Sequence, residues 1–405
     1  MTSVMQGVRI LEVAEQTFVP AASALLADWG ADVVKIEHVE RGDAMRGLAS
    51  TGVLSIPSDV HVLMEHSNRG KRSLGLDLAS SEGREILYEI AQRSDVFITN
   101  KLSGVRKKLQ IDVEHLRARN PGIIYVRGSG QGERGPDADK GSYDSLAFWA
   151  RAAVAMGVKS SDQEQVPHPP GPGFGDSIGA MTIAGGVMGA LYHRERTGEA
   201  TIVDVSLFGT GLWAQGQAIA LSMLLGVPFS IPTGGRRSVN PLVGNYRTRD
   251  GHFLSFTCLQ AGKYWPGMCE VIGQPELASD PRFADHQSLV SNGAEAVGIL
   301  QGCFAERTLQ EWRKLLEAFD GQWSVVQDTL QAAADPQTIS NGYVQECSTA
   351  GGVDFRLVAA PVQFDEEPAR PGRAPEFNEH GDEILREIGF DAEAILELKL
   401  RGVVA

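Results

Sequence analysis

Cysteine is scarce. Four cysteines, Cys258, Cys269, Cys303 and Cys347, are scattered through 405 residues with no C-x-x-C spacing. That argues against a disulfide framework and a zinc knuckle, and fits a reducing compartment. No basic-then-apolar leader opens the chain, and no uninterrupted apolar run reads as long enough to span a bilayer. A cytoplasmic protein is the expectation. Positive charge is in deficit. Lys and Arg number 37 against 51 Asp and Glu, a net charge of -14. This argues against nucleic acid as a partner, and any phosphate-bearing ligand would need a local basic patch. Glycine is missing from one telling place, the segment Glu15-Gln16-Thr17-Phe18-Val19 after the first predicted strand. A nicotinamide site would need a Gly-rich turn there.

What is present reads as α/β. Val8–Val13 forms a first strand, Pro20 opens a helix that Gly30 stops, and Ala31–Glu37 forms a second strand. Strand–helix–strand in this spacing implies a parallel pair joined by a right-handed crossover. Leu74–Leu78, Asp95–Asn100, Ile123–Val126 and Val203–Leu207 continue the strands. Ser80 caps a helix running to Gln92. Past residue 230 the pattern becomes α+β, with an Asp250-Gly251 hairpin signal and an amphipathic helix over Thr308–Leu316.

One stretch carries a chemical signal. Pro169-Pro170-Gly171-Pro172-Gly173-Phe174-Gly175 is a stiff loop ending on a lone carboxylate, Asp176. Ile178, Met181, Ile183, Ala184, Val187, Met188 and Leu191 then recur at helical spacing, and Gly198 stops the helix. Asp176 falls at or beside the N-cap, and two readings fit it. Asp is a preferred capping residue. A carboxylate at a helix start flanked by Gly175 and Gly179 is also placed to act as a nucleophile toward a ligand.

Further segments are ambiguous. Asn68-Arg69-Gly70-Lys71-Arg72-Ser73 is the densest basic cluster, either a phosphate site or a solvated turn. Gly130-Gln131-Gly132-Glu133-Arg134-Gly135 matches G-x-G-x-x-G formally. Pro136 follows it and no apolar helix begins on the third glycine, so it predicts a structural turn. Phe148 and Trp149 read as core.

Gly175-Asp176-x-x-Gly179, Arg196-Thr197-Gly198 and Val203-Asp204-Val205-Ser206-Leu207 together resemble the central signature of family III CoA-transferases. The block Gly30–Glu37 with Gly42-Asp43-x-x-Arg46, the Asn68–Ser73 block and the tail 373–404 are similar to that family too. The resemblance implies a large Rossmann-like CoA-binding domain over 1–205, completed by 355–405. It implies linkers at 206–230 and 326–354, a small α+β domain over 231–325, and an interlocked homodimer. It implies Asp176 as the residue that attacks an acyl-CoA thioester, with His38, Arg46, Lys71, Arg72, Asn100 and Lys108 lining the CoA site. Coenzyme A enters as substrate, with no permanently bound cofactor and no metal. Gly234-Gly235 resembles the family's shielding loop but is short and basic, and Gln16 lies near the position of a catalytic Gln.

The chemistry follows from the groups. Carboxylate attack on a thioester gives an aspartyl–acyl anhydride and free thiolate. The thiolate returns to give an aspartyl-CoA thioester, and an acceptor acid reverses the steps. Backbone N–H groups at the helix start would stabilise the oxyanions. Two alternatives remain, an α-methylacyl-CoA racemase-like epimerase and a non-catalytic CoA-binding protein. Racemases carry a His where Tyr143 precedes Asp144, and a tyrosine with ordinary pKa ~10 is poorly matched to α-proton transfer. His168 is the nearest substitute in sequence.

Overall fold

The computed structural model describes residues 2–48, 59–232 and 239–405. Gly234 and Gly235 lie outside them. The chain divides into two compact units. One comprises Met1–Gly157, Pro167–Phe229 and Pro336–Ala405; the other comprises Val158–Val166 and Ser230–Asp335.

The first unit is built on six parallel strands, β1 (Arg9–Val13), β2 (Asp32–His38), β3 (Arg72–Leu76), β4 (Val96–Thr99), β5 (Ile124–Ser129) and β6 (Ile202–Ser206), in the order β3-β2-β1-β4-β5-β6. This is the doubly wound Rossmann-like order, with its reversal between β1 and β4, where such sheets open a crevice at their carboxyl ends. Central strands are buried on both faces. Leu11, Val96, Phe97, Ile98, Ile124 and Val126 are all fully enclosed, as parallel sheets require. That explains why Arg9–Val13 shows only weak alternation.

Each face has its own core. On one, the helix Phe18–Asp28 packs against the long helix Phe174–Thr197 through Phe18, Val19, Ala22, Ile183, Ala184 and Val187. On the other, the helix Ser81–Gln92 meets Leu116 and the chain's last two helices, Gly381–Glu387 and Ala392–Leu400. The tail closes onto β3: Asp77 N–H donates to Val403 at 2.9 Å, and Leu76 bridges Val404. Ser80 caps its helix as expected, accepting from Gly83 N–H at 3.0 Å.

The helix Phe174–Thr197 is long and apolar enough, by length and composition, to cross a membrane. Glycine, Thr182 and Tyr192 interrupt its apolar residues, so it contains no unbroken apolar run of that length. Its Gly179, Ala180, Ile183, Ala184, Val187 and Ala190 are buried within the unit.

Both stretches expected as linkers carry structure. Residues 206–230 hold two helices, Leu207–Ala214 and Gly216–Leu225. Gln215 breaks them. Its side-chain amide lies 2.8 Å from where a Cβ at Gly157 would sit. Residues 326–354 hold two short helices and most of a hairpin, β10 (Val344–Ser348) with β11 (Asp354–Val358).

In the second unit, β7 (Val243–Arg247), β8 (Phe253–Thr257) and β9 (Trp323–Val325) form an antiparallel sheet. The Asp250-Gly251 hairpin joins β7 to β8 as the dipeptide predicts. The helix Leu309–Leu316 begins with a full capping box between Thr308 and Glu311. Tyr246, Phe256, Phe304 and Trp312 stack at the centre of that core.

Candidate active site

The helix bearing Asp176 starts earlier than the sequence suggested. Gly173 is its N-cap, with φ 65° in the left-handed region that glycine tolerates. Asp176 is therefore the third helical residue, within the first turn, and does not cap. No side-chain cap is made at Gly173. Asp176 is thus relieved of the structural duty that was the rival reading of it.

Three segments frame Asp176. The first is the loop after β1. Thr17 Cγ2 lies 3.2 Å from where a Cβ at Gly173 would stand, and Asp176 Oδ2 lies 3.8 Å from the same point. The second is the π-helical turn Ser145–Arg151, a rare form often found at functional sites. It sets Phe148 against Gly175, where an added Cβ would meet the ring at 2.6 Å. Phe148 and Trp149 both pack edge-on to Phe174, at 6.1 and 6.3 Å between centroids. The third is Asp144, just before that turn, whose Oδ2 accepts Gly175 N–H at 3.1 Å. One backbone donor at the helix start is therefore already spent.

Burial, and then the like charge of Asp144, push the Asp176 carboxyl up to about 7. A buried carboxyl with its proton affinity raised in this way, beside a second carboxylate, is a candidate functional position.

The other sequence-derived candidates divide by the end of the sheet they occupy. Asn100 follows β4 at the carboxyl end. It clamps the loop after β1, accepting from Glu15 N–H at 3.2 Å and donating to Glu15 O at 2.6 Å. His38 ends β2 and is exposed, its Nδ1 accepting Glu40 N–H. Lys108 is exposed on the helix Ser103–Lys108, after β4. Arg46 is held by Glu37 through two bonds of 2.7 Å.

Lys71 and Arg72, given to the CoA site by the resemblance, precede and begin β3, at its amino end. The Lys71 ammonium is 0% exposed and donates to Glu12, Pro20, Ser67 and Asn68 at 2.7–3.0 Å. Arg72 forks onto Asp32 at 3.0 and 2.8 Å and reaches Glu387 at 2.7 Å. The Gly130–Gly135 turn has Gly132 and Gly135 at positive φ and no helix after it, the structural turn expected. A cavity of about 380 Å³ at the carboxyl ends of β5 and β6 is lined by Arg127, Ser129, Glu133, Arg134 and Asp204. Asp176 is not part of it.

Sequence reasoning had not given roles to Thr17, Asp144, Glu12 or Lys35. Two of these had a readable signal: Glu12 and Lys35 are charges inside apolar strands of a parallel sheet.

Against known proteins, the family model described as CoA-transferase family III matches residues 5–381. The chain belongs to that family. It is 29% identical over 401 residues to the (R)-2-hydroxy-4-methylpentanoate CoA-transferase of Clostridioides difficile, covering 99% of each chain. It is 30% identical to the succinyl-CoA:mesaconate CoA-transferase of Haloarcula marismortui, covering 96% of this chain and 97% of that one. A crystal structure of a CAIB/BAIF family protein from Brucella suis superposes with a TM-score of 0.80 at 25% identity, covering 96% of this chain and 100% of that one. The protein is therefore an enzyme of CoA transfer, acting on CoA thioesters.

Proposed function

We propose that this CoA-transferase works through covalent catalysis by Asp176. An Asp176 carboxylate oxygen attacks the carbonyl of an acyl-CoA, the C–S bond breaks, and the CoA thiolate departs, leaving an aspartyl–acyl anhydride. The thiolate then attacks the aspartyl carbonyl of that anhydride and expels the donor acid as its carboxylate. An acceptor carboxylate attacks the resulting aspartyl-CoA thioester to form a second anhydride. The thiolate takes the acceptor's acyl group and frees Asp176. Thioester energy is conserved through every step, and no net proton is consumed.

The observation that carries this reading is the position of Asp176 itself. It is a carboxyl in the first turn of a helix, free of capping duty, with glycines at positions 173, 175 and 179 around it. Its proton affinity, raised by burial and Asp144, leaves a carboxylate more basic, and so more nucleophilic, than an ordinary one.

For the CoA phosphates we favour the exposed Lys108 ammonium after β4 and the exposed His38 ring at the end of β2 over Lys71, Arg72 and Arg46, whose cationic groups are already engaged by carboxylates. Lys108→Ala should raise the acyl-CoA KM, and the salt dependence of KM should weaken with it. An unchanged KM and salt slope would remove Lys108 from the site.

A homodimer is part of the proposal. Its support is the helix Gly216–Leu225, which buries none of its residues in this chain, and Trp213 beside it, 87% exposed. Single chains rarely leave so continuous an apolar surface in water. The direct test is transfer: a panel of acyl-CoAs is offered with carboxylic acids, and Asp176→Ala should lower turnover by about a thousandfold while leaving the fold intact. An Ala variant with substantial activity contradicts the proposal.

A further inference from the structure

Beneath the loop that faces Asp176 lies a closed set of buried charges that the chemistry above does not use. Glu12 and Lys35 come from neighbouring strands, Asp43 from the turn after β2, and Lys71 from just before β3. All four side chains are 0% exposed. Lys35 Nζ bonds Glu12 at 2.8 Å and Asp43 Oδ2 at 2.7 Å. Lys71 Nζ takes the other Glu12 oxygen at 2.7 Å. Burial alone would raise the Glu12 carboxyl, but the two ammoniums outweigh it and hold it down at about 2.

Three of the four also grip the backbone that runs from β1 into the first turn of the first helix, while Glu12 joins the two ammoniums. Lys35 donates to Ala14 O at 2.9 Å, and Lys71 donates to Pro20 O at 2.8 Å. Asp43 Oδ1 accepts Gln16 N–H at 3.0 Å. Gln16 has φ 70°, a left-handed conformation that costs a non-glycine residue about 1–2 kcal/mol and persists only where surroundings enforce it. The residue it delivers next is Thr17, whose methyl flanks Gly173 opposite the Asp176 carboxylate.

Buried ion pairs are a poor route to stability, because apolar residues of the same volume commonly do as well or better. Their distinguishing property is direction. Here the bonds converge on three backbone atoms of one short stretch, at Ala14, Gln16 and Pro20.

We propose that Glu12, Lys35, Asp43 and Lys71 are positioning residues that hold the Gln16–Phe18 segment in register with Asp176, so that the network acts on the chemical step and not on CoA binding. This rests on the reading of Asp176 as the reacting group. The rigid loop keeps the substrate carbonyl aligned on the Asp176 oxygen, and misplacement by about 1 Å at such a point costs on the order of a hundredfold in rate.

The test compares three full-length variants. Asp43→Ala removes both the Gln16 acceptor and the negative charge that pairs with Lys35. Asp43→Asn keeps an oxygen for Gln16 N–H but loses the charge. The double variant Lys35→Met with Asp43→Leu removes one charge of each sign and leaves Glu12 with Lys71. Circular dichroism and Tm report folding; kcat and the acyl-CoA KM report function. Asp43→Ala and the double variant should lose about 10–100-fold in kcat with KM within about threefold of the parent. Asp43→Asn should recover kcat to within about fivefold even where its Tm is as low as that of Asp43→Ala. Should Asp43→Ala not fold, the double variant decides. Parental kcat in a folded double variant, or a kcat in Asp43→Asn as low as in Asp43→Ala, overturns the proposal. Trapping of acyl or CoA on Asp176 in the parent separates the two claims. With the adduct present and kcat insensitive to the network, the positioning claim alone fails. With no adduct, the reading of Asp176 fails first.

Discussion

At the scale of single residues, Asp176 has two pH consequences. Its folded-state pKa is raised to about 7 from an ordinary 3.8. The attacking form is the carboxylate, so kcat/KM of the free enzyme should rise with pH through about 7. Asp144→Asn removes the like charge but keeps an acceptor for Gly175 N–H. Its rising limb should move to lower pH yet stay well above 3.8, because burial is the larger cause. An unmoved limb would show that Asp144 does not act on Asp176 electrostatically. The stability effect has a definite sign. A carboxyl whose folded pKa lies above its unfolded value stabilises the fold fully below about pH 4, and that contribution is lost as pH climbs to about 7. Asp176→Asn should therefore match the parent near pH 4 and exceed it above pH 7, by about 1–3 kcal/mol after allowing for partial solvent access. Denaturant midpoints at pH 5 and pH 8 check this, and a variant less stable than the parent at pH 8 counts against it. The sequence exposed Asp176 through its glycines, but not its rank within the helix. That depended on Gly173 adopting a left-handed φ, which Gly171 or Gly175 could equally have supplied on composition.

Elements come next. The two helices that meet over Asp176 approach closely because glycine permits it. At Gly179 an added Cβ would overlap the Phe18 ring, and at Gly175 it would press on Phe148. Gly179→Ala should cost about 1–3 kcal/mol through overpacking, and a urea midpoint will measure it. A midpoint equal to the parent's would mean that the Phe18 ring can move aside freely. Strand identity was legible from runs such as Val33-Val34 and Val96-Phe97-Ile98, although β3 begins at Arg72, two residues before its apolar residues. That shift decided the fate of the basic cluster. A one-dimensional pattern shows Lys71 and Arg72 as adjacent charges, while the fold sends them to the amino end of β3 and into bonds with Glu12 and Asp32. Long-range partners of that kind are invisible to periodicity.

At the scale of the whole molecule, the order of the sheet was not legible from sequence patterns alone. Strand–helix–strand spacing implies parallel neighbours, but the reversal between β1 and β4 depends on tertiary packing. The chain's end illustrates this. Ile395, Leu398, Val403 and Val404 belong to the same core as β3 and β4, about 300 residues away in sequence. Truncation before Ala392 removes four buried side chains, each worth about 1.5–3 kcal/mol. It should leave the protein unable to fold cooperatively, as a thermal melt would show; a sharp melt near the parental Tm would contradict it. The apolar helix Gly216–Leu225 makes the complementary prediction. Leu224, 80% exposed in the single chain, should be covered in a dimer. Leu224→Glu should weaken assembly in sedimentation, whereas an unaltered dimer, or a parent that sediments as a monomer, removes that helix from any interface.

The account turns on a covalent bond to Asp176, and intact-peptide mass spectrometry reads that bond directly. The enzyme is mixed with an accepted acyl-CoA in the absence of any acceptor acid, quenched, and digested. The peptide containing Asp176 should carry the mass of a CoA thioester. Borohydride should reduce that group to the alcohol, hydroxylamine should convert it to a hydroxamate, and the peptide from Asp176→Asn should show neither. An active enzyme that yields no adduct, or yields one on another residue, would contradict the mechanism.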